Sequence, residues 1–147
     1  MNKHWVWIAA SAALLAAAPA LAAGELVHRK LMVAAINDDW TRTSLSLEAG
    51  QLVIIMASGS AKVRPYGDGV GPQGLDNGAG RLEGKIGQAP AFTVGTSIAF
   101  YAKEPGPLKL RIKDSRYDDN VGGYTIDLMV LDPVAIPPAT DVPVASQ

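Results

Sequence analysis

The sequence contains no cysteine, which excludes disulfide bonds, thiol chemistry and a lipid-anchored processing site. Histidine is almost as scarce, because only His28 of the two histidines lies beyond residue 22. A Ser-His-Asp or Cys-His catalytic site would depend on His28 alone, and a histidine-rich zinc site is excluded. We interpret His28 as an exposed strand residue and predict that the protein is not an enzyme.

A surplus of charge of either sign is also missing. The chain has 13 Lys and Arg against 14 Asp and Glu, which gives a net charge of -1. It therefore has no overall basic excess for nucleic acid and no basic amphipathic helix for a membrane surface. Its Lys and Arg residues are scattered along alternating segments, as is typical of solvated strand faces.

The longest apolar run lies at the N-terminus. Lys3 provides a positive start, residues 5–18 are apolar, and residues 19–22 (Pro-Ala-Leu-Ala) form a small-x-small cleavage site. The run is shorter than the ~20 residues that span a bilayer. We predict a signal peptide over 1–22, cleaved after Ala22, and an exported, periplasmic or secreted protein without a membrane span.

Beyond residue 22 the chain shows short alternating segments and no helical periodicity. Glycine and proline turns separate seven or eight such segments, which predicts an all-β fold, a small β-sandwich, as one domain over 23–131. Residues 132–147 are rich in proline and predict a disordered or extended tail. We expect the strands at 28–35, 40–47, 52–57, 81–86, 91–94, 97–102, 107–113 and 123–131.

Three finer expectations follow from these segments. Residues 52–57 are continuously apolar, which predicts a strand buried on both faces. Ser58-Gly59-Ser60 should end or bulge that strand, and Trp40 is expected to face the core. Residues 65–80 are glycine-rich and predict a long surface loop, without the Lys-Ser/Thr and the following helix of a phosphate cradle.

An acidic loop lies between the last two alternating segments. Its oxygen-bearing side chains are Asp114, Asp118, Asp119 and Asn120, and a glycine pair follows at 122–123. Calcium takes such oxygen ligands, although the spacing is not that of an EF-hand. The alternative is a polar hairpin loop in which these side chains make turn-forming hydrogen bonds. The residues leave both interpretations open.

Two other kinds of site are weaker candidates. Asp118 and Asp119 could form a carboxylate pair for glycoside hydrolysis, but adjacent strand residues point to opposite faces. Tyr66, in the glycine-rich loop, and Tyr117, in the acidic loop, could form walls of a ligand site. Packing residues are the alternative for both tyrosines.

Four motifs follow one another in a distinctive order. They are Gly71-Pro72-Gln73-Gly74, residues 81–87 (Arg-Leu-Glu-Gly-Lys-Ile-Gly), Val94-Gly95, and Asp114 followed by residues 119–124 (Asp-Asn-Val-Gly-Gly-Tyr). In this order they resemble the PA-IL-like calcium-dependent galactophilic lectins of bacteria, from about residue 31 to 130. The resemblance implies a jelly-roll-like sandwich with calcium at one end, where sugar hydroxyls coordinate the metal directly.

The resemblance also implies which residues hold the metal and the sugar. The side-chain ligands would be Asp114, Asp119 and Asn120. The implied backbone carbonyl ligands come from Arg116 or Tyr117 and from Val63 or Arg64. The candidate carbohydrate contacts are Asp114, Asp119, Asp76, Asn77 and Tyr117.

One element of that family is missing here. Its galactose-reading His-Pro-x-Gln element should follow residues 71–74, but residues 75–80 read Leu-Asp-Asn-Gly-Ala-Gly. We therefore expect a calcium-dependent carbohydrate-binding protein whose preference for a galactoside stays open. Weak single-site binding would need several copies in one assembly, which favours a homo-oligomer. The alternative is a periplasmic structural or interaction module of the same fold that has lost sugar binding.

Overall fold

A computed structural model describes residues 24–64 and 67–133 of the chain. These residues form eight strands and no helix, so the all-β prediction is confirmed. No helix long and apolar enough to cross a membrane occurs within these two ranges. The predicted signal peptide, Tyr66 and the tail from residue 134 lie outside the described residues. The strands are β1 (Leu26–Ala34), β2 (Thr41–Leu47), β3 (Leu52–Lys62), β4 (Leu82–Ile86), β5 (Phe92–Thr93), β6 (Ser97–Tyr101), β7 (Gly106–Ile112) and β8 (Val121–Leu131).

The strands form two antiparallel sheets of four strands each. The first sheet has the order β1-β8-β3-β6, and the second has the order β2-β7-β4-β5. Most successive strands belong to opposite sheets, which is the strand alternation of a jelly roll. β7 and β8 both lie in the interior of their sheets. The acidic loop between them therefore crosses from one sheet to the other at one end of the sandwich.

The core lies between the two sheets and is built by the alternation seen in the sequence. Every second residue of β7 and β8 points inward, because successive strand residues face opposite sides of a sheet. The largest fully buried side chains are Tyr124, Leu47, Ile55, Leu82, Leu108, Leu110, Ile112, Ile126, Leu128, Val33 and Val53.

β3 differs from the prediction in two respects. Its burial alternates, with Val53 and Ile55 buried and Met56 44% exposed, so the strand is not buried on both faces. The reason is that the outer face of the first sheet is open to solvent, whereas the prediction assumed layers on both sides. The strand also continues past Gly59, which adopts a φ of 112° while pairing with β8 is maintained to Lys62.

Trp40 does not face the core. Residue 41 pairs with Leu110, which is fully buried, so the preceding tryptophan points to the outer side of the second sheet. There its ring lies 5.0 Å from Lys85 Nζ and 4.4 Å from Arg111 Cζ, measured to the ring centroid. Cations at these distances interact favourably with an indole ring. The prediction of a core-facing tryptophan was therefore wrong.

Candidate metal and ligand site

The acidic loop is closed by its own hydrogen bonds. The Asn120 amide N donates to the Tyr117 carbonyl O at 3.2 Å, and the Asp114 amide N donates to the Tyr117 hydroxyl at 3.1 Å. Tyr117 is half-buried and its side chain holds the start of the loop, rather than standing free as a ligand wall. At the far end Gly122 adopts a φ of 83°, and a Cβ there would lie 2.6 Å from the Ser60 carbonyl O.

Each of the three predicted side-chain ligands has one buried oxygen without a hydrogen-bond partner. These atoms are Oδ2 of Asp114, Oδ1 of Asp119 and Oδ1 of Asn120. Only one other buried side-chain polar atom in the described ranges lacks a partner, the Nε of Arg111. Buried polar atoms are normally satisfied, and leaving one unpaired costs about 1–3 kcal/mol. Three such oxygens within seven residues therefore need partners from outside the protein, which water or a cation can supply.

The remaining polar atoms of two of these side chains are already bonded. Asp114 Oδ1 accepts from the Ser115 amide N at 2.7 Å. Asn120 Nδ2 donates to the Ala35 carbonyl O at 3.1 Å, and the residue is only 3% exposed. Because a carbonyl can only accept, this contact fixes which amide atom is the oxygen. Partners of this kind orient metal ligands in proteins and leave one oxygen of each side chain available.

Arg116 balances the acidic charge on the outer side of the loop. Its Nε and Nη2 donate to the two carboxylate oxygens of Asp118 at 2.6 and 3.0 Å, and the Nε lies 3.9 Å from Asp119 Oδ2. This hydrogen-bonded pairing lowers the pKa of Asp118 and raises the pKa of Arg116. Asp118 is thus exposed and ion-paired with Arg116, so it forms no free carboxylate pair with Asp119.

A cleft of about 270 Å³ opens beside Asp114. It is lined by Asn77, Ala79, Lys113, Asp114 and Ser115. Asn77 and Asp114, two of the predicted carbohydrate contacts, therefore share one cleft. Asp76 is exposed in the same turn but does not line it.

Two residues of the cleft were missed by the sequence analysis, and two predicted carbonyl ligands line another cavity. Lys113 and Ser115 line the cleft, whereas the sequence analysis singled out only Asp114 between them. Val63 and Arg64 instead line a separate cavity of about 180 Å³ under the glycine-rich loop. His28 is exposed on β1, with Nε2 3.2 Å from Asp127 Oδ1, and is far from the loop, as the interpretation of an exposed strand residue required.

Tyr124 ties the glycine-rich loop to the first sheet. Its hydroxyl lies 2.7 Å from the carbonyl O of Gly80, 2.9 Å from that of Gly71 and 3.2 Å from that of Val70. The single hydroxyl proton serves the closest of them, Gly80. Burial raises the pKa of Tyr124 to about 12, so the hydroxyl stays protonated at neutral pH. The loop that forms one wall of the cleft is therefore fixed from inside the core.

The set of side chains fits calcium better than zinc or a catalytic transition metal. The described part of the chain contains no group of three or more His, Cys, Asp or Glu that could hold a metal. Two carboxylates and one amide instead supply three hard oxygens, and calcium completes its six to eight ligands with carbonyl and water oxygens. Within the loop, Asp114 Oδ1 accepts from the Ser115 amide N and both Asp118 oxygens accept from Arg116, whereas the three buried oxygens above are not used in this way.

Comparison with known proteins supports the fold independently. No protein-family model and no curated protein matches the chain. Among solved structures, the chain is similar to the EclA N-terminal domain, which is described as a PllA-like lectin, with a TM-score of 0.60 and 25% identity. The match covers 71% of this chain and 97% of that domain. The predicted lectin resemblance is thus supported at the level of the fold, although not for the PA-IL-like group itself.

Proposed function

We propose that the protein binds carbohydrate through a calcium ion held by Asp114, Asp119 and Asn120. The observation that carries this proposal is the set of three unpartnered buried oxygens on these three side chains. The similarity to a PllA-like lectin domain supports it at the level of the fold. Carbonyl oxygens of Arg116 or Tyr117, in the same loop, are the backbone candidates to complete the shell. A bound calcium would accept sugar hydroxyls as ligands in place of water.

The residues around the cleft suit a hydroxylated ligand. Asn77 has an amide nitrogen and Ser115 a hydroxyl, and both can exchange hydrogen bonds with sugar hydroxyls. Lys113 adds a donor at the cleft edge, where its side chain is 49% exposed. Shallow clefts of this size leave much of a sugar in water, so binding at one site should be weak. We therefore propose that several copies act together on one glycan surface, outside the cytoplasm.

A second candidate is an interaction module of the same fold without sugar binding. The turn over residues 75–80 favours it, because the turn is closed by its own hydrogen bonds. The Ala79 amide N donates to Asn77 Oδ1 at 3.1 Å, and the Leu75 amide N donates to the Ala79 carbonyl O at 2.8 Å. Fewer polar atoms are then left for a ligand than in a loop that carries a His-Pro-x-Gln element.

A glycan array with calcium and with a chelator separates the two candidates. The proposal predicts binding to a set of neutral glycans that disappears in chelator and returns when calcium is added. An Asn77→Ala variant should bind the same glycans more weakly while keeping its calcium affinity, measured by isothermal titration. A protein that takes up calcium but binds no glycan on the array would be the interaction module instead.

A further inference from the structure

The outer face of the second sheet carries a basic stripe, although the whole chain has a net charge of -1. Alternation places five cationic side chains from β2, β4, β7 and the residue after β7 on this face, and only one carboxylate, that of Glu83. The stripe has its cations on three adjacent strands. They are Arg42 on β2, Lys85 on β4, and Lys109, Arg111 and Lys113 on and just after β7.

Three of these cations lie side by side in one row across the sheet. Arg42 pairs with Lys109, and Lys109 pairs with Lys85 on its other side. Neighbouring strands are only about 4.8 Å apart, and like charges directly opposite each other destabilise a sheet. No carboxylate of the described residues forms an ion pair with any of the three. The fold therefore keeps a repulsive row that an anionic ligand would relieve.

The other two cations and Trp40 hold the stripe in place. Glu83 forms ion pairs with Arg111 at 3.3 Å and with Lys113 at 3.7 Å. Trp40 lies against both Lys85 and Arg111 through its ring. One carboxylate and one indole thus restrain three long side chains, which lowers the entropy lost when a ligand binds.

A groove runs along the stripe where β2 departs from β7. The pairing register shifts between Arg42 and Ser46, and Ser44 adopts a φ of 63°, a left-handed conformation that is rare for a residue other than glycine. The groove encloses about 370 Å³. Its walls are formed by the charged Arg42 and Lys109, by Ser44 and Ser46, and by the apolar Leu45, Pro107 and Leu108. Such a lining offers cations to carboxylates and hydroxyls to a sugar ring.

The large apolar side chain within the stripe is Trp40, and its ring is covered by Lys85 and Arg111, unlike the free apolar side chains that a membrane-binding surface would insert. The exposed large hydrophobic residues of the described chain lie on or beside strands of the first sheet. They are Leu26, Met32, Ile36, Met56, Tyr101 and Val121. At its other end the stripe reaches Lys113, which also lines the cleft next to Asp114.

We infer that the outer face of β2, β7 and β4 is a second, calcium-independent site that binds an acidic polysaccharide. Arg42, Lys85 and Lys109 would pair with its carboxylates, and the groove at Ser44 would receive a sugar ring. The choice of a polysaccharide among polyanions rests on the proposed function, since the stripe leads into the proposed sugar cleft. A chain of uronic acids supplies one carboxylate per sugar, which suits a row of cations.

The test is titration of the protein with fluorescent oligogalacturonate in the presence of EGTA. A triple variant R42Q/K85Q/K109Q should bind about tenfold more weakly, because three exposed ion pairs of modest strength are lost. A control triple, K30Q/K62Q/K103Q, removes the same charge from exposed lysines away from the stripe and should bind as the unmodified protein does. Equal weakening in both triples, or no binding by the unmodified protein, would overturn the inference.

Two further arms identify the ligand class. Stronger binding to single-stranded DNA or to anionic phosphatidylglycerol vesicles than to oligogalacturonate, lost in R42Q/K85Q/K109Q, would also overturn it. Lys109→Gln alone should raise the thermal midpoint at low salt, since it removes the middle charge of the row. A cooperative unfolding transition also shows that Lys109→Gln folds. An unchanged or lower midpoint would contradict the repulsive row.

The second site and the calcium site can fail separately. R42Q/K85Q/K109Q should keep any stabilisation by calcium, and Asp119→Asn should keep oligogalacturonate binding in EGTA. If the unmodified protein binds oligogalacturonate but is not stabilised by calcium, the proposed function is wrong and the basic site stands. If calcium stabilises the unmodified protein but oligogalacturonate does not bind to it, the basic site is wrong and the proposed function stands.

Discussion

Tyr124→Phe should destabilise the protein by about 1–3 kcal/mol, the cost of leaving a buried polar group without its partner. The Gly80 carbonyl O, at 2.7 Å from the Tyr124 hydroxyl, has no other protein donor among the described residues. The other two carbonyls keep one, because the Val70 oxygen accepts from the Ala61 amide N at 3.0 Å and the Gly71 oxygen from the Gly74 amide N at 2.9 Å. Urea unfolding of the variant measures the loss.

The same substitution should change the response to alkaline pH. The pKa of Tyr124 is raised to about 12 in the folded protein, above the usual ~10 of an unfolded tyrosine. A raised pKa gives stability that is complete below pH ~10 and is lost as the pH rises toward about 12. Tyr124→Phe should flatten this decline. Tyr101→Phe is the matched control, because Tyr101 is 66% exposed, and it should change neither quantity.

Asp114→Asn and Asp119→Asn should each remove the stabilisation by calcium. A ligand at ~100 times its Kd stabilises the native state by about 2.7 kcal/mol, so the loss would be of that size. Each substitution keeps the shape of the side chain but removes the negative charge that a divalent cation requires. Thermal unfolding with calcium and with chelator gives the difference for each variant.

Asp118→Asn is the adjacent control for these two variants. Its carboxylate is 70% exposed and bound by Arg116, and both of its oxygens have partners. This variant should retain the gain from calcium. If Asp118→Asn lost it while Asp119→Asn kept it, the metal would be held on the outer side of the loop and the assignment would be wrong.

Strand alternation made most of the fold predictable. Every strand from β1 to β8 falls within or beside an expected segment, because one buried face imposes a period of two on the sequence. The prediction for β3 was wrong in detail, since the apolar run at 52–57 looks the same whether one face of the strand or both faces are buried. The prediction for Trp40 was wrong because the sequence does not reveal that two cations on other strands would cover its ring.

The site was predictable only where its residues are close in sequence. Asp114, Asp118, Asp119 and Asn120 lie in one loop and were grouped by it, and the family resemblance then singled out Asp114, Asp119 and Asn120 as candidate ligands. Ala35, which orients Asn120, lies 85 residues away in sequence, and no local pattern marks it. The row of Arg42, Lys85 and Lys109 was missed for the same reason. Each cation looks like an ordinary solvated residue until the strand order places the three together.

The most direct test is thermal unfolding of the protein, purified without its predicted signal peptide, in millimolar calcium and in EGTA. Three buried oxygens that share a calcium ion should give a higher midpoint in calcium, and magnesium should have a smaller effect because it dehydrates reluctantly. Identical midpoints in calcium and EGTA would contradict the account. The unpartnered oxygens of the acidic loop would then be satisfied by water, and carbohydrate binding through a metal would have no support.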